Sequence, residues 1–143
     1  QSKGAELLSD NYYGTPRRYV DERLSEGKNV FLEIEMQGAM KVKKKHPETM
    51  LVFILPPSIK TLVQRLRDRG ANTEEDIKNR MEQAKTEAVH MKDYEFFVVN
   101  DDLEKCIKDV NALSCGEIPA DLPDDKFLDN IRSELDLFLK GEL

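Results

Sequence analysis

Three short apolar runs set the terms for this chain: Val30-Phe31-Leu32-Glu33-Ile34-Glu35, Met50-Leu51-Val52-Phe53-Ile54-Leu55 and Phe96-Phe97-Val98-Val99. Each has the length of a strand, and each is parted from the next by stretches of helical period. Strands alternating with helices predict a parallel α/β sheet, because parallel neighbours must be joined by a long crossover. The middle run contains no polar residue, the pattern of a strand covered on both faces. The first run ends in two carboxylates at i and i+2, which point to the same side of an extended backbone.

The helical stretches carry their own punctuation. Asn11-Tyr12-Tyr13-Gly14-Thr15-Pro16 reads as a turn into a helix, with Thr15 as N-cap, Pro16 at the first helical position and Gly27 as the stop. A short basic helix from about 37 to 45 ends before Pro47, and Lys41, Lys43, Lys44 and Lys45 read as its solvated face. Pro56-Pro57 ends the second run and Ser58 caps the next helix. There Ile59, Leu62, Val63 and Leu66 form the apolar stripe, Arg65 and Arg69 share another face, and Gly70 closes the helix. Asn72 or Thr73 opens a longer helix in which Ile77, Met81, Ala84, Ala88 and Met91 recur at helical spacing. Another helix is predicted over 103–113. A Gly-, Pro- and acid-rich linker follows over 114–125, then an amphipathic helix over 126–143 carried by Phe127, Leu128, Ile131, Leu135 and Phe138. The predicted organisation is a core over 1–113, a linker and a C-terminal helix.

Composition narrows the classes of function. Among 143 residues, 22 are basic and 28 acidic, a net charge of -6. Such a balance gives no general attraction to nucleic acid or to a membrane surface, so any bound anion is held by a local cluster. The two cysteines, Cys106 and Cys115, are too few for a disulfide framework and lack the spacing of a zinc site, which points to a reducing cytoplasm. Cys106 reads as a small core residue and Cys115 as an exposed thiol. No apolar run is long enough to span a bilayer, and no signal-peptide pattern opens the chain. Gln1 in place of an initiator Met points to processing or truncation of a longer product.

In an open parallel sheet, ligands bind outside the carboxyl ends of the strands. Glu33 and Glu35 end the first run, Asn100 and Asp101 follow the third, and Arg65, Arg69 and Arg80 come from the segment after the second. Carboxylates with three arginines suit phosphoryl transfer: the acids hold magnesium or its waters, and fixed cations neutralise the phosphate oxygens.

Six strings then make the pattern specific: Asn11 to Pro16, Phe31-Leu32-Glu33-Ile34-Glu35-Met36-Gln37-Gly38-Ala39, Pro56-Pro57-Ser58, Arg65-Leu66 to Asp68-Arg69-Gly70, Asn79-Arg80, and Val98-Val99-Asn100-Asp101-Asp102. In this order and at these spacings, from residue 11 to about 113, the chain resembles the guanylate kinases. The resemblance implies a P-loop NTPase-like parallel sheet with flanking helices, magnesium as cofactor, and transfer of phosphate from ATP to GMP or dGMP. It implies no nucleic-acid or membrane partner. By the same resemblance Tyr13 bonds the GMP phosphate, Gly14 and Thr15 line the GMP site with the Thr15 hydroxyl on the guanine edge, and Glu33 and Glu35 lie near the nucleobase and the magnesium. Arg65, Arg69 and Arg80 belong to a lid over about 64–82 that closes on the ATP phosphates, and Asn100 accompanies the adenine.

The family's GxxGxGK[ST] loop and its first strand precede these strings and do not lie within the 143 residues. The expected sheet is therefore incomplete, with turnover impaired and with self-association or a partner covering what is open. Residues 116–143 do not resemble the family. They are expected to form an added helix that packs on the core or covers a sheet edge. A non-catalytic, peptide-binding relative is the alternative reading, against which the three arginines and Asn100 weigh.

Overall fold

In the computed structural model, which describes Glu22, Ser25, Glu26 and residues 31–143, the second and third apolar runs pair as a parallel sheet. Strand β1 (Val52–Leu55) lies beside β2 (Phe96–Val99), with Val52 opposite Phe96 and Leu55 opposite Val99. The first run departs from expectation, since residues 31–35 lie in neither helix nor strand. Exposure along them still alternates: Phe31, Glu33 and Glu35 are exposed while Leu32 and Ile34 are half-buried. The period is a strand's, but a strand also needs a hydrogen-bonded neighbour, which no local pattern supplies. Of the helix predicted to open at Thr15, only Glu22, Ser25 and Glu26 are described, the first two as helix, with the Glu26 N–H donating to the Glu22 carbonyl at 3.2 Å; its start lies outside the described residues.

The chain divides into two compact units, Gln1–Leu51 and Val52–Leu143. In the first, helix α1 (Met36–Lys45) buries Met36, Ala39 and Val42 at intervals of three and ends in Lys43, Lys44 and Lys45, where cations complement the helix dipole. Lys44 and Lys45 are exposed, as a solvated face requires. Lys43 differs, donating its ammonium to the Thr49 carbonyl at 2.5 Å.

In the second unit the β1-to-β2 crossover is built from two helices. Helix α2 (Ile59–Asp68) starts at Ser58, whose hydroxyl accepts the Thr61 N–H at 3.0 Å, and stops at Gly70, where φ is +70°. Helix α3 (Glu74–Ala88) starts at Thr73 rather than Asn72. The Thr73 hydroxyl accepts the Asp76 N–H and the Asp76 carboxylate accepts the Thr73 N–H, each at 3.1 Å. This reciprocal pair satisfies two donors that a helix start otherwise leaves orphaned. Asn72 instead donates to the Leu66 carbonyl at 3.4 Å, tying the corner back to α2. Met91, the last member of the periodic stripe, is buried in a short 3-10 turn (Met91–Asp93) beyond the end of α3.

Helices α4 (Leu103–Ser114) and α5 (Asp125–Leu139) follow, so the sheet is sandwiched. On one face Phe53, Leu55 and Phe97 pack with Met91 and with Phe127 and Leu128 of α5. On the other, Val52, Phe96 and Val98 pack with Cys106, Val110 and Leu113 of α4. The alternation of faces along each strand sorts these residues. Ile54 corrects the expectation that the middle run is covered throughout: it is 44% exposed, while its neighbour Leu55 is 3% exposed. It shares the α4 side of the sheet with Val52, but the α4 cluster reaches Val52 and not Ile54. The linker between α4 and α5 is fastened by Lys105, whose ammonium meets Asp109 at 2.8 Å and Asp121 at 2.9 Å. Those two hydrogen bonds push its pKa up to about 12. Cys106 is buried and Cys115 exposed, as the sequence suggests.

A Cβ at Gly70 would meet nothing within 4 Å, so Gly70→Ala is a pure test of backbone conformation. The left-handed φ is expected to make this variant less stable by about 1 kcal/mol, read from the urea midpoint at unchanged m-value.

Candidate functional site

Because β1 and β2 are parallel and in flush register, the residues that follow them emerge at one edge. The Asn100 N–H donates to the Leu55 carbonyl at 2.7 Å, carrying the ladder one residue past β2. Asn100 and Asp101 therefore stand beside the turn at Pro56 and Pro57, with their side chains exposed. Arg65, seven residues into α2, reaches this edge. Its Nη1 donates to the Asn100 carbonyl at 3.3 Å and its Nη2 lies 3.5 Å from Asp101 Oδ1. Both side chains are largely in solvent, so the pair is loose, and a phosphate offering two oxygens to the guanidinium fork would displace it readily.

Arg69 caps the carboxyl end of α2, its N–H returning to the Arg65 carbonyl at 3.2 Å, and Arg80 lies on α3. Both are exposed, and neither guanidinium has a hydrogen bond or ion pair among the described residues. The Asn100 amide is likewise without a partner there. The structure thus brings Arg65, Asn100 and Asp101 together and leaves Arg69 and Arg80, on the same pair of helices, without a partner among the described residues.

Glu33 and Glu35 belong to the first unit. Both are exposed, and Glu35 is the N-cap of α1 with φ -67° and ψ 166°, extended, and no side-chain cap bond. Neither carboxylate is paired among the described residues. No group of three or more His, Cys, Asp or Glu able to hold a metal occurs among those residues. Two exposed carboxylates suit magnesium, which keeps most of its waters and takes one or two carboxylates with substrate phosphates. Tyr13, Gly14 and Thr15 lie outside the described residues. No helix among the described residues is long and apolar enough to cross a membrane.

One contact escaped the sequence reading. Arg67 grips Glu74 with both ends of its fork, Nε to Oε2 at 3.0 Å and Nη2 to Oε1 at 2.7 Å, spanning the corner between α2 and α3. The signal was present, a cation in the last turn of one helix and an acid in the first turn of the next, but exposed charges at helix ends are so common that it selects nothing alone.

A parallel strand pair joined by a helical crossover, with Arg65, Asn100 and Asp101 at its carboxyl edge, is an α/β arrangement consistent with part of a P-loop NTPase-like fold. Residues 4–114 match the family model "Guanylate kinase". The chain is similar to proteins named guanylate kinase from Photorhabdus laumondii, 45% identical over 108 residues, and Carboxydothermus hydrogenoformans, 48% identical over 107. A third, from Rickettsia felis, is 43% identical over 110 residues. These alignments cover 76%, 75% and 77% of this chain but 52%, 52% and 57% of the relatives, so the chain spans about half the length of the curated relatives it matches. The chain belongs to the guanylate kinase family.

The Arg67–Glu74 pair makes a prediction about acid. The hydrogen bond from Arg67 holds the Glu74 carboxyl below its usual 4.5. A carboxyl whose pKa is depressed on folding contributes stability above its unfolded pKa and loses it as pH falls through the folded value. Wild type is therefore expected to melt above Arg67→Met near neutral pH, with the gap in Tm closing as pH drops below the ordinary carboxylate range. A gap that stays constant into strong acid would show that the pair plays no such part.

Proposed function

We propose that this chain works in the transfer of the γ-phosphate of ATP to GMP or dGMP, giving ADP and GDP or dGDP. The observation that carries the reading is the placement of the Arg65 guanidinium at the carboxyl edge, on the Asn100 carbonyl and beside Asp101. Family membership and the names of the relatives support it. Arg65, Arg69 and Arg80 neutralise the oxygens of the transferring phosphate, acting by charge and position rather than by covalent chemistry. In this reading the lid spans about 64–82, which takes in the end of α2, the corner at Gly70 and the first half of α3. Arg67 and Glu74 hold that corner together. Asn100 lies beside the adenine, and Tyr13, Gly14 and Thr15 bind GMP.

Magnesium, when bound, supplies further neutralisation of the phosphates. Glu33 and Glu35, exposed carboxylates two residues apart, are the residues that would hold it through its waters. The GxxGxGK[ST] loop of the family is not within these 143 residues. Assayed by itself, the chain is therefore expected to turn over slowly.

Two measurements on the chain test this. Calorimetry should detect magnesium-ATP binding that Arg65→Ala weakens about tenfold, the effect of losing one charge-assisted contact. ADP release should depend on GMP and vanish in the same variant. Affinity untouched by Arg65→Ala, or ADP release indifferent to GMP, would sink the assignment.

A further inference from the structure

Helix α5 packs along both helices that carry the arginines. Ile131 and Leu135 share one buried cluster with Ile59, Val63 and Leu66 of α2 and with Ile77 and Met81 of α3. Two polar contacts fix its register. Lys85 of α3 meets Asp136 at 2.9 Å, and Glu134 Oε1 accepts the backbone N–H of Ile59 at 2.6 Å from 75 residues away in sequence. Ile59 is the first residue of α2, so its N–H has no acceptor within the helix. A carboxylate there also faces the positive end of the helix dipole. Ser58 serves the Thr61 N–H and Glu134 serves the Ile59 N–H, so α2 is pinned at its start by one local oxygen and one distant one.

Arg65 and Arg69 stand at the other end of the same helix, which over ten residues is a stiff rod about 15 Å long. A small pivot at Ile59 is therefore delivered to the guanidinium groups. We propose that Glu134 is a positioning residue: half-buried where α5 meets α2, it fixes the start of α2 and thereby the reach of Arg65 and Arg69 across the carboxyl edge of the sheet. Glu134 lies beyond residue 114, where the family match ends, so this control comes from a part of the chain outside the matched segment. Its consequence for phosphate contact rests on the function proposed above, whereas its consequence for the position of Arg65 does not.

The test uses the full chain with Glu134→Ala and Glu134→Gln, the second keeping an oxygen that can accept the Ile59 N–H. Two readings are taken without ligand: amide exchange at Ile59 and the NMR resonance of the Arg65 Nε–H. In Glu134→Ala, exchange at Ile59 should quicken roughly tenfold and the Arg65 resonance should move, with Glu134→Gln restoring most of both. Exchange at Val98, fully buried in β2, should stay unchanged and so report an intact fold. An Arg65 resonance identical in wild type and Glu134→Ala overturns the proposal, whatever happens at Ile59. If the alanine variant does not fold, Glu134→Asp, which draws the oxygen back from Ile59, takes its place and is held to the same result.

Calorimetry with magnesium-ATP separates the two claims. Severalfold weaker binding in Glu134→Ala, recovered in Glu134→Gln, supports a positioning role. Unchanged affinity, in a chain whose binding Arg65→Ala does weaken, overturns it. A wild-type chain that does not bind magnesium-ATP overturns the proposed function, and the ligand-free arm then decides the role of Glu134 alone.

Discussion

The flush parallel pairing of β1 with β2 is the constraint on which the rest depends. A parallel pair sends both chains out at the same edge, and the bond from the Asn100 N–H to the Leu55 carbonyl extends that alignment to the first residue beyond β2. Polar residues that stand apart in sequence thus become neighbours without any contact between their side chains having to arrange it. A slip of one residue would turn Leu55 and Val98 out of the clusters that hold α5 and α4, so the buried faces enforce the register. The location of the arginine site is in this sense a product of the core.

What was readable in the sequence was local chemistry. Ser58 and Thr73 announce helix starts because a hydroxyl satisfies a backbone donor two or three residues on. Gly70 announces a stop because it enters the left-handed region without strain. The apolar stripe of α3 was legible for the same reason, its period being set by a single turn of helix. Arg65, Asn100 and Asp101 could be nominated together because the rule that ligands sit at strand carboxyl ends converts a topology into a short list.

The features that escaped depend on partners far along the chain. Residues 31–35 keep the alternation of a strand yet form none, since a ladder is a relation between two segments and only one was on view. Ile54 reads as interior from its neighbours and is exposed because α4 lies over Val52 and β2 instead. Glu134 sits among the polar positions of an amphipathic helix and looks like any solvated acid until α5 docks and its carboxylate meets the start of α2. The apolar pattern of α5 told that the helix would pack and was silent on which helix would receive it.

The distribution of firm and loose contacts follows the distribution of chemistry. Where α2 and α3 meet α5 the polar contacts are short, Ile59 with Glu134 and Lys85 with Asp136, and Ile77 between the helices has no exposed surface at all. At the carboxyl edge they are long and wet, with Arg65 holding Asp101 at 3.5 Å and Arg69 and Arg80 holding nothing among the described residues. In the proposed function a phosphate arriving there displaces little. It would meet the loosely held Arg65 together with Arg69 and Arg80, on helices already packed against α5. Firm contact where α5 meets the start of α2 and loose contact at the carboxyl edge are thus both properties of one helix, held at Ile59 and exposed at Arg65.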